Sequence, residues 1–123
     1  MAKQETILIA DDDANFLSFL TFLLEHNGYR TMQAADGLAT LNKLREERPA
    51  LTLLDLMMPG LSGFEVLERM QEDPQLSTLP VIVVTALADE KARARCLELG
   101  VRGYVTKPFD HSELLRTIRD TLR

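Results

Sequence analysis

The chain has 123 residues, is 46% hydrophobic and 27% charged, and carries a net charge of −5. The length suits one domain with its own core, the composition is that of an ordinary globular protein, and the acidic balance argues against direct nucleic-acid binding, which needs a basic face. The single cysteine, Cys96, excludes an internal disulfide, and no apolar run has membrane-spanning length, so a cytoplasmic location without a membrane partner is expected.

A β-branched, apolar run at residues 6–10 predicts a first strand, which runs into Asp11, Asp12 and Asp13. Asp13 suits the N-cap of a first helix striped by Leu17, Leu20 and Leu24, with Phe16 and Leu23 beside them. Phe16, Phe19 and Phe22 read as packing residues, although one helix face cannot bury all of them. Gly28 sits where a helix C-cap belongs, with His26 suited to the helix end. A weaker strand at 29–34 ends in Ala34, Ala35 and Asp36. Leu38, Leu41 and Leu44 stripe the second helix, which Pro49 closes.

The run at 51–54 is a third strand ending at Asp55. Phe64, Leu67 and Met70 stripe the third helix, and Glu68 and Glu72 form its solvated face. The fourth strand, 81–84, runs into Thr85 and Ala86. Ala92, Cys96 and Leu99 mark a weaker fourth helix, where Cys96 reads as a packed small residue rather than a redox sensor. Gly100 ends that helix, and the run at 101–106 leads into Lys107 and Pro108. Asp110 suits the N-cap of the last helix, with Glu113 as its capping-box partner and Leu114, Leu115, Ile118 and Leu122 as the apolar face. His111 opens this helix facing solvent.

Strands alternating with helices predict an α/β, doubly wound parallel sheet of about five βα units, with both faces covered. Ligand sites in such folds lie beyond the carboxyl ends of the strands. Four of those ends carry Asp11 and Asp12, Asp55, Thr85, and Lys107. Crowded carboxylates repel, and a hard divalent cation with oxygen ligands relieves that cost. With no His or Cys beside them, Mg²⁺ is the expected ion. One carboxylate can then act as a nucleophile toward phosphorus, with a metal, an ammonium and a hydroxyl to meet the phosphoryl oxygens. Any one of these residues alone is equally well a helix cap or a turn; their joint placement carries the reading, which requires Asp12 and Asp55 to share one cation.

Ile7 to Asp13 (ILIADDD), Leu53 to Leu67 (LLDLMMPGLSGFEVL), Pro80 to Ala86 (PVIVVTA) and Gly103 to Phe109 (GYVTKPF) together resemble the motifs of response-regulator receiver domains. The resemblance covers essentially all of residues 1–123 as a single receiver domain. It implies a flavodoxin-like (βα)₅ fold with strand order 2-1-3-4-5. It also implies Asp55 as phosphoacceptor, Asp12 as a direct Mg²⁺ ligand, Asp11 as a ligand mostly through water, and the Met57 carbonyl as a further ligand. Lys107 and Thr85 would hold the phosphoryl group with the amides of Met57 and Ala86. The Lys107–Pro108 bond would be cis. Tyr104 would be the switch aromatic, moving inward as phosphate draws Thr85 and reshaping the surface of helix four, strand five and helix five. The implied donor is a phosphohistidine on a sensor histidine kinase or a histidine phosphotransfer protein. The implied recipients are an output domain, a target protein, or a second copy of the chain in a phosphorylation-driven homodimer.

The chain departs from common family usage at Met57 and Leu87, where polar side chains often tune attack on the phosphoryl group; a long-lived acyl phosphate is expected. No turnover of an external substrate is expected. A haloacid-dehalogenase-like phosphohydrolase shares the nucleophilic Asp but wants Thr or Val where Asn15 stands. Flavin binding would place a phosphate against three aspartates. A phosphate-independent pseudo-receiver is the remaining alternative.

Overall fold

A computed structural model describes residues 4–123. The elements alternate as β1 (Thr6–Ala10), α1 (Ala14–His26), β2 (Arg30–Ala34), α2 (Gly37–Glu47), β3 (Leu51–Leu54), α3 (Gly63–Glu72), β4 (Val81–Thr85), α4 (Glu90–Glu98), β5 (Gly103–Thr106) and α5 (His111–Leu122). All pairings are parallel, in the order β2-β1-β3-β4-β5, so the expected α/β fold and strand order are observed.

Side chains on a strand point alternately to opposite faces. Leu8, Ala10, Leu54, Val81 and Val83 face one way and pack with Leu41 and Leu44 of α2, Val66, Leu67 and Met70 of α3, and Ala92 and Cys96 of α4. Ile7, Ile9, Leu51, Leu53, Ile82, Val84 and Val105 face the other way, onto Leu17, Leu20 and Leu24 of α1 and Leu114 and Ile118 of α5. The continuous apolar runs of β1, β3 and β4 are explained by this double burial. Each fully buried leucine among them contributes roughly 1.5–3 kcal/mol.

Helix ends follow the expected chemistry with local differences. Asp13 caps α1 by accepting from the amides of Asn15 and Phe16. Gly28 and Gly100 follow the ends of α1 and α4 at φ +93° and +88°. The Val101 amide bonds back to the Cys96 carbonyl, so β5 begins at Gly103 rather than at 101. Asp110 caps α5, but the Ser112 amide and hydroxyl and the Glu113 amide satisfy its carboxylate, and no reciprocal box with the Glu113 side chain forms. A capping box stands instead at Ser62 and Glu65, at the start of α3.

Leu38 departs from the predicted stripe and is 59% exposed. The inner face of α2 runs through Gly37, Thr40, Leu41 and Leu44. A Cβ on Gly37 would lie 2.3 Å from the Leu61 carbonyl oxygen, so Gly37 sets the rotation of α2 and turns Leu38 outward. Glu68 keeps its solvent-exposed face and there pairs with Arg95 of α4 at 2.5 Å, while the Arg95 guanidinium lies 4.6 Å from the centre of the Phe64 ring.

Thr52, in the middle of β3, is buried with no hydrogen-bond partner for its hydroxyl among the described residues. A buried orphan hydroxyl costs stability, and an apolar replacement of the same shape removes that cost. Thr52→Val is therefore expected to raise the urea midpoint, adding about 1 kcal/mol. An unchanged or lower midpoint at constant slope would contradict this.

Candidate functional site

Strand order reverses between β1 and β3, the place where doubly wound folds put their sites. The sheet ladder continues one residue past the strand ends. The Asp11 amide bonds the Ala34 carbonyl at 3.0 Å, the Asp55 amide the Ala10 carbonyl at 2.9 Å, and the Lys107 amide the Thr85 carbonyl at 2.8 Å. Backbone register thus delivers two aspartates and a lysine to one edge before any side chain contributes.

Asp55 is buried at the centre of the cluster. Its Oδ1 accepts the Thr85 hydroxyl at 2.8 Å and the Met57 amide at 3.0 Å, while its Oδ2 accepts the Lys107 ammonium at 3.1 Å. Asp11 is also buried; its Oδ1 accepts the Asp13 amide at 2.9 Å and its Oδ2 the Lys107 ammonium at 2.7 Å. Burial pushes the Asp11 carboxyl above its ordinary value even against the bond from Lys107. For Lys107, burial acts downward, but the bond to Asp11 and the charge of Asp55 outweigh it and hold the ammonium above its usual range. Lys107 is therefore a fixed cation bridging two carboxylates.

Asp12 is exposed at the rim. Asp11, Asp12 and Asp55 each offer a carboxylate oxygen, all within 4.8 Å of one another, and so form a group able to hold a metal ion. The donor set is oxygen-only, with Asp12 open to solvent, which fits a hard divalent cation that retains water. The requirement that Asp12 and Asp55 lie close enough to share one cation is met. The Met57 side chain is exposed beside the cluster, and Ala86 is exposed directly after Thr85.

A chain of hydrogen bonds leads away from Asp55. Thr85 donates its hydroxyl to Asp55 and accepts the Leu87 amide at 3.3 Å; the Leu87 carbonyl accepts the Tyr104 hydroxyl at 2.6 Å. Burial raises the Tyr104 phenol above its ordinary value, which keeps it a donor. Its hydroxyl is bonded rather than solvated. The Lys107–Pro108 bond is cis.

Other residues fall outside the cluster. Burial pushes the Cys96 thiol up to about 11, so it is an inert packed group. His26 stacks on Phe22, with ring centres 5.9 Å apart. Phe16 was legible only as a packing residue; the structure puts its ring centre 3.9 Å from the Lys107 ammonium. No local sequence signal pairs a residue of α1 with one that follows β5.

The chain matches the family model described as "Response regulator receiver domain" over residues 7–119. It is 37% identical over 117 residues to the phosphate regulon transcriptional regulatory protein PhoB of Escherichia coli, covering 95% of this chain and 51% of that protein. The chain thus spans about half the length of the first curated relatives it matches. It is also 37% identical over 116 residues to the protein PilH of Pseudomonas aeruginosa, covering 94% of this chain and 96% of that one. A solved CheY-like response regulator receiver domain protein of Methanospirillum hungatei superposes with a TM-score of 0.91 at 31% identity, over 98% of this chain and 94% of that one.

Proposed function

The chain belongs to the response-regulator receiver family, a family of regulatory phosphoacceptor modules, and on that premise we propose that it takes a phosphoryl group onto Asp55 from a phosphohistidine donor. The observation that supports this most is the convergence of Thr85, Lys107 and the Met57 amide on one buried carboxylate. These groups can follow negative charge onto phosphoryl oxygens. In the transfer, an Asp55 oxygen bonds to phosphorus as the phosphorus–nitrogen bond breaks, and the leaving imidazole nitrogen keeps the electron pair. Residues 1–123 act as one receiver unit in this reading, without turnover of an external substrate.

Asp11, Asp12, Asp55 and the Met57 carbonyl would hold Mg²⁺, which when bound offsets part of the charge gathered on the phosphoryl oxygens. The Ala86 amide would join Thr85 and Lys107 in holding the group. The donor is a sensor histidine kinase or a histidine phosphotransfer protein, in the cytoplasm. The bonded path from Asp55 through Thr85 and Leu87 supports Tyr104 as the switch residue that biases the α4–β5–α5 surface between two states. That surface would act on an output domain, a target protein or a second copy of the chain. Exposure to acetyl phosphate with Mg²⁺, followed by intact mass and mapping of the modified residue, tests the reading; modification anywhere but Asp55 would refute it.

Lifetime is the second testable part. Met57 is 59% exposed at the rim and Leu87 half-buried, and neither side chain can orient a water molecule by hydrogen bonding. The acyl phosphate should be long-lived. Met57→Asn is expected to speed its loss severalfold or more when decay of the phosphorylated chain is followed by mass; a smaller change would count against the screening role.

A further inference from the structure

Phe16 lies in the first turn of α1, and its position is fixed through a short bonded chain. Its amide donates to the Asp13 carboxylate at 3.3 Å, and the Asp13 amide donates to Asp11 Oδ1 at 2.9 Å. The far side of Asp11, Oδ2, holds the Lys107 ammonium at 2.7 Å. Lys107 thus has two carboxylates on one side and, 3.9 Å away, the centre of the Phe16 ring on another. The ring is braced in turn by Phe109, edge-on at 6.1 Å, and by Phe19 at 6.2 Å.

An aromatic face carries partial negative charge and attracts an ammonium, more strongly where water is thinned out. The Lys107 side chain is 20% exposed, so this site is mostly desolvated. A leucine at position 16 would fill similar space but offer no such attraction. The lysine stem is flexible, with several rotatable bonds. Without a third contact, its head is free to swing toward solvent whenever Asp11 or Asp55 is engaged by another partner.

We propose that Phe16 is a positioning residue of the phosphoryl-transfer site: its ring face holds the Lys107 ammonium where it can reach the group arriving on Asp55. This rests on the reading of Asp55 as phosphoacceptor and adds to it a residue of α1 that does not touch the phosphoryl group.

Site-specific replacement of Phe16 by phenylalanines bearing one, two and three ring fluorines withdraws the negative face while nearly preserving shape. The rate of Asp55 modification by acetyl phosphate is expected to fall stepwise with fluorine number, roughly three- to tenfold across the series. Phe16→Trp should restore or exceed the parent rate, and the same fluorinated residues at the exposed Phe22 should change nothing. Independently of any phosphorylation, the Lys107 side-chain protons should show an upfield ring-current shift by NMR that disappears in Phe16→Leu. A flat fluorine series in a chain whose Asp55 is modified normally overturns the role of Phe16 alone, as does the absence of the ring-current shift. A parent chain that is not modified at Asp55 overturns the underlying reading together with the proposal.

Discussion

Incubated with acetyl phosphate and Mg²⁺, the parent chain is expected to gain the mass of one phosphoryl group and the Asp55→Asn chain to gain none. Three carboxylates crowd the site, and their surroundings separate their roles. Asp11 Oδ1 accepts the Asp13 amide in the turn that leads into α1, so swinging this carboxylate toward an incoming phosphorus would disturb that turn. Asp12 is exposed, and water competes for every charge near it. Asp55 is buried, and the Thr85 hydroxyl, the Met57 amide and the Lys107 ammonium surround it without any need to rearrange the backbone. Attack forms an oxygen–phosphorus bond on Asp55 while the bond from phosphorus to the acetate oxygen breaks, releasing acetate. Asparagine fits the same space and keeps an oxygen for Thr85, but has no anionic oxygen to attack with. Losing the nucleophile removes the reaction rather than slowing it. A phosphoryl mass gain that persists in Asp55→Asn would place the acceptor elsewhere and refute the assignment.

The second large effect is structural. Gly63→Ala is expected to destabilise the chain by about 1–3 kcal/mol, read as a lower urea midpoint, and to slow modification of Asp55. Propensity alone points the other way, since alanine is favoured over glycine in a helix by about 1 kcal/mol. Sterics decide the sign. A Cβ at Gly63 would lie 2.4 Å from the Asp55 carbonyl oxygen and 2.6 Å from the Leu56 Cα, both backbone atoms that cannot step aside as a side-chain tip can. The Gly63 amide also bonds the Leu56 carbonyl at 3.0 Å, which ties the first turn of α3 to the segment that carries Asp55. Relief requires α3 or the Asp55–Leu56 peptide to move, and the second route shifts Asp55 itself. Gly60 is the contrast: it has φ +71° and nothing within 4 Å of its missing Cβ. Its alanine variant should therefore cost only about 1 kcal/mol of backbone conformation. Equal midpoints for the Gly63→Ala and parent chains would show that the close approach is not maintained in solution.

Much of this protein follows from local chemistry. The alternation of apolar runs with helical stripes determined five βα units, because strand and helix periods are properties of short segments. The residues after each apolar run determined which chemistry gathers at the sheet edge, since parallel strands all present their carboxyl ends to one side. Asp55, Asp11, Asp12, Thr85 and Lys107 were legible for that reason, and the family motifs added the strand order. Asp13 and Asp110 were legible as caps because a cap bonds only to its own helix.

Tertiary structure decided what depends on contacts between distant segments. Rotation of α2 turned Leu38 outward, because Gly37 meets Leu61 of a loop after another strand. Glu68, which its own helix marks as solvated, found Arg95 only because α3 and α4 lie side by side on the same face of the sheet. Lys107 was expected to face the phosphoryl group, but its simultaneous grip on Asp11, Asp55 and the Phe16 ring exists only once β1, β3 and β5 are in register and α1 has been anchored. A periodic pattern specifies which face of an element is buried; it does not specify which atom of another element meets it, and the electrostatics of this site reside in those meetings.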